Sequence, residues 1–383
     1  SPRSFPRPVG FTFECVSPRV RHFSFASRPP MTSTFTLGDA AVWKAYRAPT
    51  GGTSVAACEP KGVFVVAVED VIHAYYLPGR SPPGWMGKRP SGWFTFSIDF
   101  PDAWAVKGAK PWPKSWGIGD LVFTEDSHPT PSTLLATRRF GDSVYAIDVD
   151  TGRRQVAFHL SGEPRGLASS GSLAAVSLPD DSFFPLVTVI ALYRHTGGEW
   201  HACGRTPFGI QSYGLLFFSR YQSKLSIAVV TRYLTVQTVP VPFTGKLGEV
   251  IATPKADPYD QVQWRTQCSN GRGGVFSVPE RSWVPGFPLG VVQEVDRDGS
   301  VLGSFNTGLG GYKLLAPFTG SCSGLVVYER CTGEVRVLAS PNTIAWSHMS
   351  GTRVAWMATV ARAIQRRFRV PPSAETRAPC VVQ

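Results

Sequence analysis

The chain has 383 residues, with 39 Lys and Arg against 27 Asp and Glu, 38 Gly, 33 Pro, 24 Phe, 11 Tyr and 11 Trp. Glycine and proline stay below the level of low-complexity disorder, and no apolar run approaches the roughly 18 residues of a membrane helix, Leu186–Tyr193 being among the longest. The net charge of +12 does not by itself mark a nucleic-acid-binding face: residues 1–30 and 359–383 each hold five Arg and one Glu, so each carries +4, and the 328 residues between carry only +4.

Residues 1–30 have prolines at 2, 6, 8, 18, 29 and 30, and the first methionine is Met31. This stretch reads as a disordered, basic, proline-rich segment: untranslated, a processed leader or the scar of a fragment. Six prolines argue against the amphipathic helix of a mitochondrial transit peptide. The folded part is expected over 31–358, and helix-friendly stretches are almost absent before residue 355. Phe35–Tyr46 is one candidate for an edge strand that closes a sheet.

Val71-Ile-His-Ala-Tyr-Tyr-Leu leads into Pro78-Gly79, the first of a series of strand-turn phrases. The second is Val144-Tyr-Ala-Ile-Asp-Val-Asp-Thr-Gly, with its turn at Thr151-Gly152, followed by Arg153–Phe158. Alternating apolar residues on both sides of a Gly-containing turn read as a β-hairpin, because Gly supplies the left-handed backbone that a tight hairpin needs. The same phrase returns at Thr196-Gly197, Thr244-Gly245, Asp298-Gly299 and Thr332-Gly333, at spacings of 45, 48, 54 and 34 residues. A period near 45 matches one four-stranded blade per repeat. A single blade cannot bury both faces, so blades stack around an axis. The expected fold is therefore all-β, a β-propeller of about six four-stranded blades, with five to seven as the range. Asn342–Trp356 is the second candidate for the closing edge strand.

A second phrase lies between the turns. Pro164-Arg-Gly-Leu-Ala-Ser-Ser-Gly-Ser-Leu-Ala-Ala-Val-Ser and Tyr213-Gly-Leu-Leu-Phe-Phe-Ser-Arg-Tyr-Gln-Ser-Lys-Leu-Ser-Ile-Ala-Val-Val each run Gly-Leu, a polar turn, then a strand of small and apolar residues. This resembles the NHL-repeat class of β-propeller, whose blades open on Pro-x-Gly-Ile/Leu and end a strand in Val-Ala-Asp. Here that ending is Ala-Val-Ser and Ala-Val-Val. The resemblance covers residues 35–358 and is specific in two blades. It implies a protein- or RNA-binding platform, a few members of the class being lyases or lactonases.

Residues 80–116 interrupt the period and hold five of the eleven Trp, at 85, 93, 104, 112 and 116, interleaved with Lys88, Arg89, Lys107, Lys110 and Lys114. Rings and cations in one stretch suit stacking on a peptide, a sugar or a base. Trp85, Arg89, Trp93, Trp104, Lys110, Trp112 and Trp116 are the candidate binding residues; the alternative is a long loop whose rings cover a blade edge. At the other end, Trp356, Val360, Ile364 and Phe368 recur every four residues with Arg between them, a short basic amphipathic helix before Pro371-Pro372. The basic tail 359–383 ends in Cys380-Val-Val-Gln, the pattern of a prenylation box. A lipid on Cys380 together with this polybasic stretch would place the protein at a membrane surface.

Catalytic constellations are sparse. Gly320-Ser-Cys-Ser-Gly324 has nucleophile-elbow spacing but stands between two strands, where a hairpin turn fits better. Asp148-Val-Asp150 and Asp296-Arg-Asp298 lack the later Glu of a calcium loop. The histidines have no recognised metal spacing, and the seven Cys, at 15, 58, 203, 268, 322, 331 and 380, form no CxxC pair. Free thiols in that pattern fit an intracellular, cytoplasmic compartment. The expectation is a non-catalytic scaffold that binds a protein or peptide on a propeller face, without metal or cofactor. RNA binding through the aromatic-basic segment and the tails is the first alternative, and a propeller hydrolase or lyase with an axial metal is the second.

Overall fold

The computed structural model describes residues 35–77, 93–97, 117–124, 133–139, 141–149, 152–180, 187–208, 212–231, 236–243, 250–251, 267–278, 290–319 and 323–339. The chain divides into Ser1–Thr32, which lies outside the described residues, and Ser33–Gln383, which contains every element below.

The second unit is built of strands, beginning with a single 3-10 turn at Leu37–Asp39 and β1 (Ala41–Arg47). Blade 1 is β2 (Ser54–Cys58), β3 (Val63–Val68), β4 (Val71–Tyr76) and β5 (Trp93–Ser97). Blade 2 is β6 (Ile118–Phe123), β7 (Leu134–Arg138), β8 (Ser143–Ile147) and β9 (Arg154–His159). Blade 3 is β10 (Gly166–Ser170), β11 (Leu173–Asp180), β12 (Val187–Thr196) and β13 (Glu199–Pro207). Blade 4 is β14 (Ser212–Tyr221), β15 (Lys224–Thr231), β16 (Val236–Pro240) and β17 (Val250–Ile251). Blade 5 is β18 (Gln267–Ser269), β19 (Val275–Ser277), β20 (Val291–Val295) and β21 (Val301–Asn306). Blade 6 takes β22 (Lys313–Thr319), β23 (Gly324–Glu329) and β24 (Glu334–Ala339) from the C-terminal side and β1 from the N-terminal side, in the order β1-β24-β23-β22.

The six first strands of the blades lie side by side in sequence, and β22 closes on β2. At that point the pairing is direct: Ala57 faces Phe318 and Cys58 faces Thr319 in a parallel ladder. The ring is thus a β-propeller of six four-stranded blades. Its closure comes from β1, which pairs antiparallel with β24 from Ala41↔Ala339 to Arg47↔Glu334. Of the two candidates for the closing strand, the Phe35–Tyr46 segment supplies it; Asn342–Trp356 lies outside the described residues, as does the amphipathic helix expected after residue 355.

Strand alternation explains how one sequence serves two neighbours. In β3, Val63, Val65 and Ala67 join the core between blades 1 and 2, while Phe64 and Val66 join the core between blades 6 and 1. Period-2 side chains that are apolar at every position need a partner on both faces. Six apolar clusters result, one in each seam between adjacent blades. The seam between blades 5 and 6 also takes Phe35 and Leu37 from ahead of β1, with the Phe35 ring edge-on to Phe276 at 5.8 Å.

The structure also revises one boundary. Residues 80–116 read as a continuous interruption of the period, yet Trp93–Ser97 within them is β5, the outermost strand of blade 1, paired with β4 from Val71↔Ser97 to Tyr75↔Trp93. The interruption is two connections, 78–92 and 98–116, on either side of a strand.

Candidate binding surfaces

Because β5 runs antiparallel to β4, Tyr76 and Trp93 lie at one end of blade 1, and Val71 and Ser97 at the opposite end. Of the seven candidates in this region, Trp93 is placed at the start of β5. Trp85, Arg89, Trp104, Lys110, Trp112 and Trp116 lie outside the described residues, and so does Cys380. The sequence presented them as one aromatic-basic stretch; the strand between them separates Trp85 and Arg89 from the rest.

The buried charges of the ring are engaged in holding it together. Asp120, near the start of β6, is buried: its Oδ1 accepts from Ser54 Oγ at 2.8 Å and from Leu121 N at 2.9 Å, and its Oδ2 accepts from Leu167 N at 3.0 Å. One carboxylate therefore joins the first strands of blades 1, 2 and 3. Glu294 on β20 is fully buried and accepts from Asn270 Nδ2 at 3.1 Å, from Leu37 N at 3.3 Å and from the Arg272 guanidinium. The same guanidinium donates to Phe35 O at 2.6 Å, so the pair clamps the segment that leads into β1. Glu329 accepts from Gly311 N and from Thr332 Oγ1 at 2.6 Å, while Lys313, opposite it in the β22–β23 ladder, donates to Gly311 O at 2.7 Å. Burial holds the Lys313 ammonium below the usual lysine range, with the Glu329 charge opposing that shift. These carboxylates carry the several hydrogen bonds that make a buried charge tolerable.

The other motifs resolve as turns. Gly152 N donates to Asp148 O at 2.8 Å, and Asp298 Oδ1 accepts from Ser300 N at 2.8 Å; the Ser300 hydroxyl first, and this backbone bond second, hold the Asp298 carboxyl below its ordinary value. Gly324 opens β23 directly after the short connection from β22, which is a hairpin and not the strand–turn–helix of a nucleophile elbow. Among the described residues no three His, Cys, Asp or Glu side chains stand together as metal ligands, and the exposed Cys203 and Cys331 are in no disulfide. His159 Nδ1 lies 3.0 Å from Ser143 Oγ, which also donates to Asp142 Oδ1 at 2.9 Å. Ser143 is buried and both partners hydrogen-bond to it, so the trio anchors the end of β9 and does not form a nucleophile–base–acid relay. No described helix is long and apolar enough to cross a membrane.

One aromatic cluster, in the seam between blades 2 and 3, was not read from the sequence. Phe158 of β9 stacks on Tyr193 of β12 at 4.0 Å and lies 5.5 Å from Trp200 of β13, and Trp200 lies 5.1 Å from His195. The only sign of it in the sequence is the pairing of His195 with Trp200 around the Thr196-Gly197 turn; Phe158 joins them through the packing of blade 2 on blade 3.

No family model and no curated protein matches the chain. Among solved structures it is similar to the Dos1 propeller, at 8% identity and a TM-score of 0.44, over 78% of this chain and 95% of that one. It is also similar to the calcium-binding protein regucalcin from Agrobacterium tumefaciens, at 14% identity and a TM-score of 0.43, over 78% and 92% of the two chains. Raptor from Chaetomium thermophilum matches at 12% identity and a TM-score of 0.43, over 79% of this chain and 28% of that one. The fold stands on the strand order and the six seams described above, independently of these likenesses.

Proposed function

We propose that the chain is a non-catalytic interaction platform that binds a protein or peptide partner on the surface of its propeller, with the Trp-rich connections of blade 1 as the main contact. The observation that carries this reading is β5. It fixes the middle of the Trp- and cation-rich stretch, Trp93–Ser97, on the outer edge of a four-stranded sheet. Aromatic side chains offered from a rigid frame lose little entropy on binding and dominate interface energies. The buried carboxylates Asp120, Glu294 and Glu329 support the same reading, because the hydrogen bonds of each are spent on joining strands. The platform is further read as a degenerate NHL-type propeller: both Gly-Leu phrases fall on first strands of blades, Gly166-Leu167 opening β10 and Gly214-Leu215 within β14.

The test uses the full chain as bait in native extract, with Trp104→Ala/Trp112→Ala as the comparison. A discrete protein partner is expected at stoichiometric recovery, unaffected by nuclease, and lost from the variant while its melting temperature stays within about 2 °C of the parent. Recovery of nucleic acid alone, in amounts that fall steeply with salt, would replace this reading with RNA binding.

A further inference from the structure

The outer rim of blade 3 offers a second, independent surface. β13 is the last strand of its sheet, so one row of its amide and carbonyl groups faces away from the blade. At nine residues it is the longest of the outer strands among the described residues, against seven in β1, six in β9 and β21, five in β5 and two in β17. Short outer strands make poor templates for a further strand; a nine-residue edge is a good one. A register slip opposite Leu192 and Tyr193 leaves Cys203 unpaired and divides this edge into Glu199–Ala202 and Gly204–Pro207.

Charge selects what such an edge would take. Arg205 on β13 and Arg194 on β12 are exposed, and among the described residues neither guanidinium stands in a salt bridge or hydrogen bond. His201, also exposed, stands opposite Arg194 in the ladder. The hairpin from Val187 to Pro207 carries a single acidic residue, Glu199, and that one sits at the turn. Strand alternation sets Arg194 and His201 on one face, and Trp200 with the Tyr193–Phe158 stack on the other; past the register slip Arg205, opposite Ala191, falls on that second face as well. Trp200 is half-buried: it packs against the seam of blades 2 and 3 and keeps part of its surface exposed.

We propose that the edge of β13 accepts an extended acidic peptide as a fifth strand of blade 3, its carboxylates meeting Arg194 and His201 on one face, an apolar side chain lying on Trp200 on the other, and a further carboxylate past the register slip meeting Arg205. Main-chain hydrogen bonds hold the added strand, and the cations select its sign. This deepens the platform reading, on which it rests, by naming the chemistry of one partner and where it sits; the blade 1 connections play no part in it.

The test is fluorescence anisotropy of the full chain with a labelled peptide that alternates Glu and Val, beside a Lys–Val counterpart, a version with Pro at every second position, and a single-stranded RNA of equal length. The Glu–Val peptide binds, more weakly as salt rises, and the Lys–Val and Pro peptides do not. R194E/R205E weakens binding about tenfold, and R205Q alone about threefold, both at unchanged melting temperature. Equal binding of the Pro peptide would overturn strand addition, and equal binding to R194E/R205E would overturn the role of the cations. Tighter binding of the RNA would overturn the choice of partner. A natural partner that survives R194E/R205E yet is lost with Trp104→Ala/Trp112→Ala removes this proposal and leaves the platform standing.

Discussion

The hydroxyl of Tyr328 has two backbone partners among the described residues: it donates to Pro49 O at 2.7 Å and accepts from Gly52 N at 2.9 Å. Tyr328 is fully buried, and burial pushes its phenol above the ordinary range. A Cβ at residue 52 would lie 2.6 Å from the ring, so Gly52 is what allows the chain leaving β1 to pass so close. Tyr328→Phe keeps the shape and strands both backbone groups. It is expected to cost about 1–3 kcal/mol in denaturant unfolding, whereas no measurable cost would show the chain leaving β1 to be held elsewhere. His73 on β4 gives a pH test. Its Nδ1 is buried with no partner among the described residues, and burial lowers its pKa below the free value. Below about pH 6.5 the unfolded chain therefore takes up this proton before the folded one does, and stability falls as the pH drops. Unfolding midpoints at pH 7.5 and 5.5 should lie closer together in His73→Gln than in the parent; an equal separation would place the titration elsewhere.

At the scale of single elements, legibility in the sequence followed local chemistry. Turns that depend on a glycine could be read directly: Gly152, Gly197, Gly299 and Gly333 all adopt left-handed backbone, with φ of 71°, 64°, 89° and 74°. The last interval, 34 residues against 45 to 54, has a structural cause. Gly152, Gly197 and Gly299 turn between the third and fourth strands of their blades, but Gly333 turns between the second and third strands of blade 6, whose fourth strand arrives from the other end of the chain. β5 escaped because five residues of Trp-Phe-Thr-Phe-Ser between two Trp-rich stretches have no turn signal of their own. Asp120 and Glu294 escaped for a different reason. Each sits in an apolar strand as a lone acidic residue, and its partners, Ser54 and Leu167 for one and Leu37 for the other, are brought beside it only by the closed ring. The approach to β1 is similarly tight, since a Cβ on Gly303 of β21 would come within 2.7 Å of Gly38 N. Gly303→Ala should lower stability by about 1–3 kcal/mol through overpacking, while Gly310→Ala, with open space around it, should leave the melting temperature within error. Equal effects would deny the close crossing.

For the whole molecule, closure is the step on which the other features depend. Six sheets, each apolar on both faces, bury those faces only if the last blade meets the first, and β1 is what completes the last blade. The 35–52 segment serves three blades: Phe35 and Leu37 enter the seam of blades 5 and 6, β1 pairs with β24, and Tyr46 Oη donates to Tyr76 O of blade 1 at 2.8 Å. Both proposed surfaces need this frame, because loops and an outer strand can present side chains at fixed positions only from sheets that do not separate. The most direct measurement is a cross-link between Ala41 and Ala339, partners at one end of the β1–β24 ladder. In a background where exposed Cys203 and Cys331 are replaced by Ser, Ala41→Cys/Ala339→Cys should form an intramolecular disulfide on mild oxidation, recovered as one linked peptide and raising the melting temperature. Both cysteines remaining alkylatable after oxidation, or linking only between two chains, would contradict a ring closed by its N-terminal strand.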